Sequence, residues 1–183
     1  MKLIYIPFFI ICVLAGSCTT GNLGFQEAID RNNRKLETEE QRRDAEFLVE
    51  ATDYNILLRE LAEKTSGKAY ARVVSDFAAK NLQDHQTMAE RIRDLAKDKK
   101  ISLPSEAGDR HRNMVNDIEQ ATNKNVDRVY LNTIELVQER LIRLYENAAL
   151  NANDAEIRSY AAAQLDIIRS HNRRSQEIRK QLI

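Results

Sequence analysis

Apolar positions in this chain recur at alternating spacings of four and three, the stripe that one face of an α-helix presents to a core. The first stripe reads Phe47, Ala51, Tyr54, Leu58 and Leu61 and closes on Thr65-Ser66-Gly67. Upstream of it, Thr38 and Gln41 have the spacing of a capping box, so the pattern predicts a helix starting near Thr38. A second helix is expected from about Lys68 to Lys99, with Val74, Ala78, Asn81, His85, Met88, Ile92 and Leu95 on its seam. Its basic end at Lys97, Lys99 and Lys100 suits a C-terminus, where positive charge offsets the helix dipole.

After a connection containing Pro104 and Gly108, a shorter polar helix is expected from Asp109 to about Asn123. A long helix then runs from about Asn125 to Ala152 on Tyr130, Ile134, Val137, Leu141, Leu144 and Ala148. The last helix follows the turn at Asn153-Asp154 and reaches about Gln181 on Ile157, Ala161, Gln164, Ile168, His171, Ser175 and Ile178. Of five Gly and two Pro, only Gly67, Pro104 and Gly108 lie beyond Gly24, each where a stripe stops. The rest is rich in strong helix formers. Together these features predict an all-α domain over residues 38–183: an antiparallel four-helix bundle with a short extra helix between the second and third long ones.

The chain opens differently. Met1-Lys2 precedes an uncharged run from Leu3 to Gly16, too short to cross a bilayer as a helix, and small residues lead directly to Cys18. This layout resembles a bacterial lipoprotein signal, with residues 1–17 removed and Cys18 acylated as the first mature residue. Residues 18–37 would then be the lipidated Cys followed by a tether or helical lead-in, with Gly21 and Gly24 supplying flexibility. Several acyl chains, at about 0.8 kcal/mol per buried CH₂, would make the anchoring effectively permanent.

The only other cysteine, Cys12, leaves with the signal, so no disulfide and no thiol chemistry is expected. Basic and acidic residues balance at 28 each, which favours no nucleic-acid partner. The partners expected are therefore the membrane, reached through the lipid anchor, and an unidentified protein. A homodimer is also expected if Leu57, Leu131 or Ile142, on the flanks of the seams, stay uncovered.

Candidate chemistry is sparse. Of three histidines, His85 and His171 fall on inward seams and His111 does not. A di-iron bundle places Glu three residues before His, but here Leu82 and Ile168 hold those positions. A looser zinc or other divalent-metal site remains, from His85 and His171 with Asp84, Asp53 and Glu50, since imidazole and carboxylate suit such ions. The competing reading is a buried polar layer of Tyr54, Asn81, His85, Tyr130, Gln138, Gln164 and His171, whose members satisfy one another's hydrogen bonds. No arrangement of a nucleophile with its base appears, because Thr87 lies on the wrong side of the helix from His85.

Particular residues also resemble a known family. Phe47-Leu48 with Ala51, Phe77-Ala78 before Asp84-His85, Leu103-Pro104, Asp127-Arg128-Val129-Tyr130 and His171 are similar to the pattern of the domain of unknown function 4142, over about Glu46 to Glu177. The resemblance implies an envelope protein of ferritin-like bundle fold, in a family that generally lacks the complete di-iron ligand set. Where many relatives carry a second Asp-His in the third long helix, this chain has Val137-Gln138, which removes one potential ligand. The expectation is a non-enzymatic envelope lipoprotein, without catalytic residues or cofactor, at the outer membrane facing the periplasm. The alternative expectation is a divalent-metal-binding or oxidative-stress protein.

Overall fold

The computed structural model of the chain describes residues 23–182, so the signal segment and Cys18 lie outside the described residues. Those residues form six helices and no strand: α1 (Phe25–Lys35), α2 (Glu39–Ser66), α3 (Arg72–Asp98), α4 (Asp109–Gln120), α5 (Lys124–Asn151) and α6 (Ala155–Leu182). α2, α5 and α6 each have 28 residues and α3 has 27, a matched length of about 42 Å at 1.5 Å per residue. Among the described residues, no helix is long and apolar enough to cross a membrane.

α2 packs along α3 and α5 along α6, and α2 also touches α5 and α3 touches α6, around one core. Fully buried Leu48, Leu57, Leu58, Leu61, Met88, Ile92, Ile134 and Leu141 fill it. The capping box forms as expected: Gln41 N–H donates to Thr38 Oγ1, and the Gln41 side chain accepts from the Thr38 N–H.

Several expectations need correction. Residues 25–35, expected as either tether or lead-in, form α1, which docks on α2 through Ala28 and Asn32. α3 begins at Arg72 instead of Lys68, because the Asp127 carboxylate accepts from the Tyr70 and Ala71 N–H groups and fixes the helix start there. On α5 the buried position is Tyr145 and Leu144 is only half-buried; on α6 it is Leu165, leaving Gln164 half-buried. In both helices the true step is four then three, Leu141-Tyr145-Ala148 and Ala161-Leu165-Ile168, where three then four was expected. Leu57 and Leu131 are buried and Ile142 half-buried, so these flank residues, considered as a surface for self-association if uncovered, pack against the core. Each long helix touches two long neighbours, and its apolar stripe is wider than one seam for that reason.

Candidate functional site

The centre of the bundle is polar. His85 on α3 is fully buried, and its Nδ1 stands 2.9 Å from Asn55 Oδ1 on α2. Asn55 Nδ2 is already committed, donating to the Ala51 carbonyl at 2.8 Å, so it is the amide oxygen that faces the ring. Nδ1 must therefore carry the proton, and Nε2 is left as the acceptor, toward which Gln138 Nε2 on α5 points at 3.5 Å. Burial pushes the His85 imidazole down to about 3, with the neighbouring His171 adding to the shift. At neutral pH this ring is uncharged and held between two amides.

His171 on α6 lies beside it, ring centres 5.5 Å apart, and its Nε2 approaches Asp84 Oδ2 at 2.9 Å. Burial lowers its pKa more than Asp84 raises it. For Asp84, burial alone would raise the pKa, but hydrogen bonds from Lys80 and His171 outweigh it and hold the carboxyl below its usual range. Phe77 flanks the pair, 6.3 Å from the His171 ring and 6.2 Å from that of Tyr130. Further along the core, Tyr145 and Tyr160 bring their hydroxyls to 3.3 Å, and Tyr160 donates to the Met88 carbonyl. Asn81 Oδ1, Gln138 Oε1, Tyr130 Oη and His171 Nδ1 are buried with no hydrogen-bond partner among the described residues.

The other metal candidates sit elsewhere. Asp53 of α2 is fully buried against the start of α4, accepting from the Gly108 N–H at 2.7 Å and from Arg110 Nη2 at 2.9 Å. His111 Nδ1 stands 3.3 Å from Asp53 Oδ2, out of line for a hydrogen bond. Burial would raise the Asp53 pKa, but His111, Gly108 and Arg110 overcome it and hold the carboxyl low. Glu50 reaches the same guanidinium at 3.5 Å. Arg110 in turn lies over the rings of Phe25 and Tyr54, at 4.9 and 5.3 Å.

The residues expected to share a metal thus divide. Asp84, His85 and His171 meet at the α3–α6 seam, while Asp53 and Glu50 belong to a cluster that fastens α4, and no three of the described His, Cys, Asp or Glu residues converge on a common point. Of the expected polar layer, Asn81, His85, Tyr130, Gln138 and His171 are buried and central, Gln164 is half-buried, and Tyr54 packs against His111.

Three buried polar residues escaped the sequence reading. Asn55, the partner of His85, follows the seam residue Tyr54 and looks like a flank position. His111 is buried, contrary to expectation; its spacing to Val115 and Ile118 is the inward face of α4 and was the available signal. Asp44 gives no local signal, because its carboxylate accepts from the Asn153 and Asp154 N–H groups at 2.8 Å, far along the chain.

No curated protein and no solved structure matches this chain. A family model does, over residues 31–178, which include every residue of the polar centre and of the acidic pair Asp53 and Glu50 with Arg110 and His111. The chain belongs to the family described as Domain of unknown function (DUF4142).

Proposed function

We propose that this chain is a non-enzymatic envelope lipoprotein, lipidated at Cys18 and held at the outer membrane facing the periplasm, whose bundle serves interaction, protection or sensing. One observation carries the non-enzymatic part: the most deeply buried histidine, His85, has its two ring nitrogens directed at the neutral amides of Asn55 and Gln138. Such a ring is a structural hydrogen-bonding unit, and among the described residues no nucleophile or carboxylate is hydrogen-bonded to it. The anchor rests on the run before Cys18 and its small residues. On this reading residues 1–17 are the signal, residues 18–37 link lipid to bundle, and the partner is an envelope protein or a second copy of the chain.

The fold we assign is an antiparallel four-helix bundle of ferritin-like type. Its support is the order of contacts along α3. Phe77 meets Tyr130 and His85 meets Gln138, so numbers rise together on α5; Phe77 meets His171 and Met88 meets Tyr160, so they fall on α6.

A second reading, a divalent-metal-binding or oxidative-stress protein, is favoured by the closeness of His85, His171 and Asp84 and by the unpartnered Asn81 Oδ1 and Gln138 Oε1 around them. These groups would be its ligands, since Arg110 holds Asp53 and Glu50 elsewhere. Metal analysis of protein purified without a His tag, with and without His85→Leu and His171→Leu, separates the two. The first reading expects no stoichiometric metal; zinc at one per chain, lost in both variants, would overturn it. Lipidation is read in parallel by incorporation of labelled palmitate, expected in the native chain and lost in Cys18→Ala.

A further inference from the structure

The way the chain enters the domain limits how far the domain can stand from a membrane. Leu23 is pinned to the connection before α4: its N–H donates to Ser105 Oγ at 2.7 Å, and its carbonyl accepts from the Ser105 N–H at 2.8 Å. Two residues later α1 begins, and it is fixed in its turn. Asn32 Nδ2 donates to the Ser102 carbonyl at 2.9 Å, the Ser102 N–H donates to Asn32 Oδ1 at 2.8 Å, and Arg110 covers the Phe25 ring. The segment expected down to residue 37 as a tether or helical lead-in is therefore part of the domain from residue 23 onward.

Only Thr19, Thr20, Gly21 and Asn22 separate Cys18 from Leu23. Fully extended, that stretch spans no more than about 18 Å. A bundle is thicker than this, since each helix with its side chains is about 10–12 Å across. A lipid at Cys18 would hold the side from which Leu23 emerges against the bilayer surface, and the domain could not turn that side away.

We infer that the face formed by α1 and the start of α4 is the membrane-facing surface of this protein, resting on the phospholipid headgroup layer. The inference rests on the lipoprotein reading and adds the orientation. The chemistry of the face selects headgroups over acyl chains. Gln26, Glu27, Asp30 and Arg31 of α1 are exposed, as are Asp109 and Arg112 of α4, so no apolar stripe is available on these two helices for insertion. Acids and bases alternate on the face, Glu27 with Arg31 and Asp109 with Arg112, and these pair with each other. Attraction to an anionic surface is therefore not what brings it down; the short link is. The opposite side, the α3–α6 groove with Lys80, Ile167 and Arg174, is left facing the aqueous space, where a partner can reach it.

The test uses the full-length lipoprotein in phosphatidylcholine vesicles that contain a phospholipid spin-labelled at its headgroup. Single thiols are introduced as Gln26→Cys or Arg112→Cys on the inferred contact face and as Ile167→Cys on the opposite one, and each carries a fluorophore. Quenching should be at least about twofold stronger at residues 26 and 112 than at 167. Inserting about ten Gly and Ser residues between Thr20 and Gly21, which adds roughly 33 Å of reach, should abolish the difference. Replacing half of the phosphatidylcholine by phosphatidylglycerol should leave it unchanged. A lipid-bearing chain quenched equally at all three positions, or more strongly at 167, overturns the orientation and leaves the lipoprotein reading standing. Mass spectrometry showing no acyl group at Cys18 overturns both.

Discussion

His85 Nδ1 and Asn55 Oδ1 meet at 2.9 Å inside the bundle, joining α3 to α2 where neither group can reach water. Removing one partner of such a pair leaves the other desolvated and unpaired, which costs about 1–3 kcal/mol, whereas replacing both by apolar groups of similar size can be nearly neutral. Asn55→Leu should therefore destabilise the protein by that amount in urea unfolding. The double variant Asn55→Leu with His85→Leu should recover most of the loss. If the double variant falls by the sum of the single losses, the two residues are not coupled and the polar centre is not organised around them.

The same ring predicts a pH dependence, with a definite sign. Its folded pKa lies at about 3, below the ordinary value of 6.5 that it has in the unfolded chain, so between those values the unfolded chain binds a proton that the folded chain refuses. Stability then rises with pH across that window. Folding should be insensitive to pH above about 7 and lose up to about 1.4 kcal/mol per unit on acidification below 6.5. His171 is shifted in the same direction and adds to the slope. Asp84, whose carboxyl is held below its ordinary 3.8, adds its own loss only under more acidic conditions. Urea midpoints measured from pH 7.5 to 4.5 should show this fall, and His85→Leu should flatten it; an unchanged slope in that variant would place the titration elsewhere.

What could be read from the sequence, and what could not, follows the range of the interactions. The seams of α2 and α3 were legible because four-and-three spacing is a local property, and every expected residue on them is buried, from Phe47 to Leu61 and from Val74 to Leu95. On α5 and α6 the phase slipped by one, since Leu144 and Tyr145 are equally plausible next steps after Leu141. Contacts far along the chain decide between them, since Tyr145 packs edge-on against Phe47 and its hydroxyl approaches that of Tyr160. The two seam histidines were placed correctly for the same local reason, and Gln138 and Asp84 were among the residues grouped with them, but Asn55 was missed and the pairing itself was not legible. Asn55 is 30 residues from His85 and Asp84 is 87 from His171, and no periodicity encodes such a meeting. The dispersal of Asp53 and Glu50 away from the histidines has the same origin, because Arg110 and Gly108 claim them from a loop whose path the sequence does not announce.

Three buried aspartates repeat one device. Asp44, Asp53 and Asp127 each turn a carboxylate from a long helix toward backbone N–H groups at the start of another segment. α3 shows the need most directly, since its N-cap residue Ala71 supplies no capping side chain. The negative charge also complements the positive end of the helix dipole. Asp127→Ala, which removes both acceptors for Tyr70 and Ala71, should cost about 2–4 kcal/mol, less than two full hydrogen bonds to a charged group at about 1.5–3 each, because the freed N–H groups lie on exposed or half-buried residues and can bond water. Asp127→Asn should cost less, as one oxygen remains. Hydrogen exchange at the amides of Tyr70 and Ala71 should speed up in both variants; unchanged exchange would mean that the α3 start is held by packing alone.

Asp53 holds more than a helix start, and its loss should be felt across two helices. Its carboxylate accepts from Gly108 and Arg110, the Arg110 guanidinium lies over Phe25 of α1 and Tyr54 of α2, and His111 packs on Tyr54 at 5.1 Å. Arg110 is itself partly exposed, so it can recover water when its partner is removed, and the full penalty for a stranded buried charge does not apply. Asp53→Ala should then cost about 2–3 kcal/mol, chiefly the lost hydrogen bonds to a charged acceptor. The effect should also be local. α1 and α4 touch the rest of the domain less extensively than the four long helices touch one another, so they belong to the less stable end of the structure. Exchange of α1 and α4 amides should accelerate well before that of α5 and α6. Uniform acceleration throughout the chain would show that α1, α4 and the four long helices unfold as one unit.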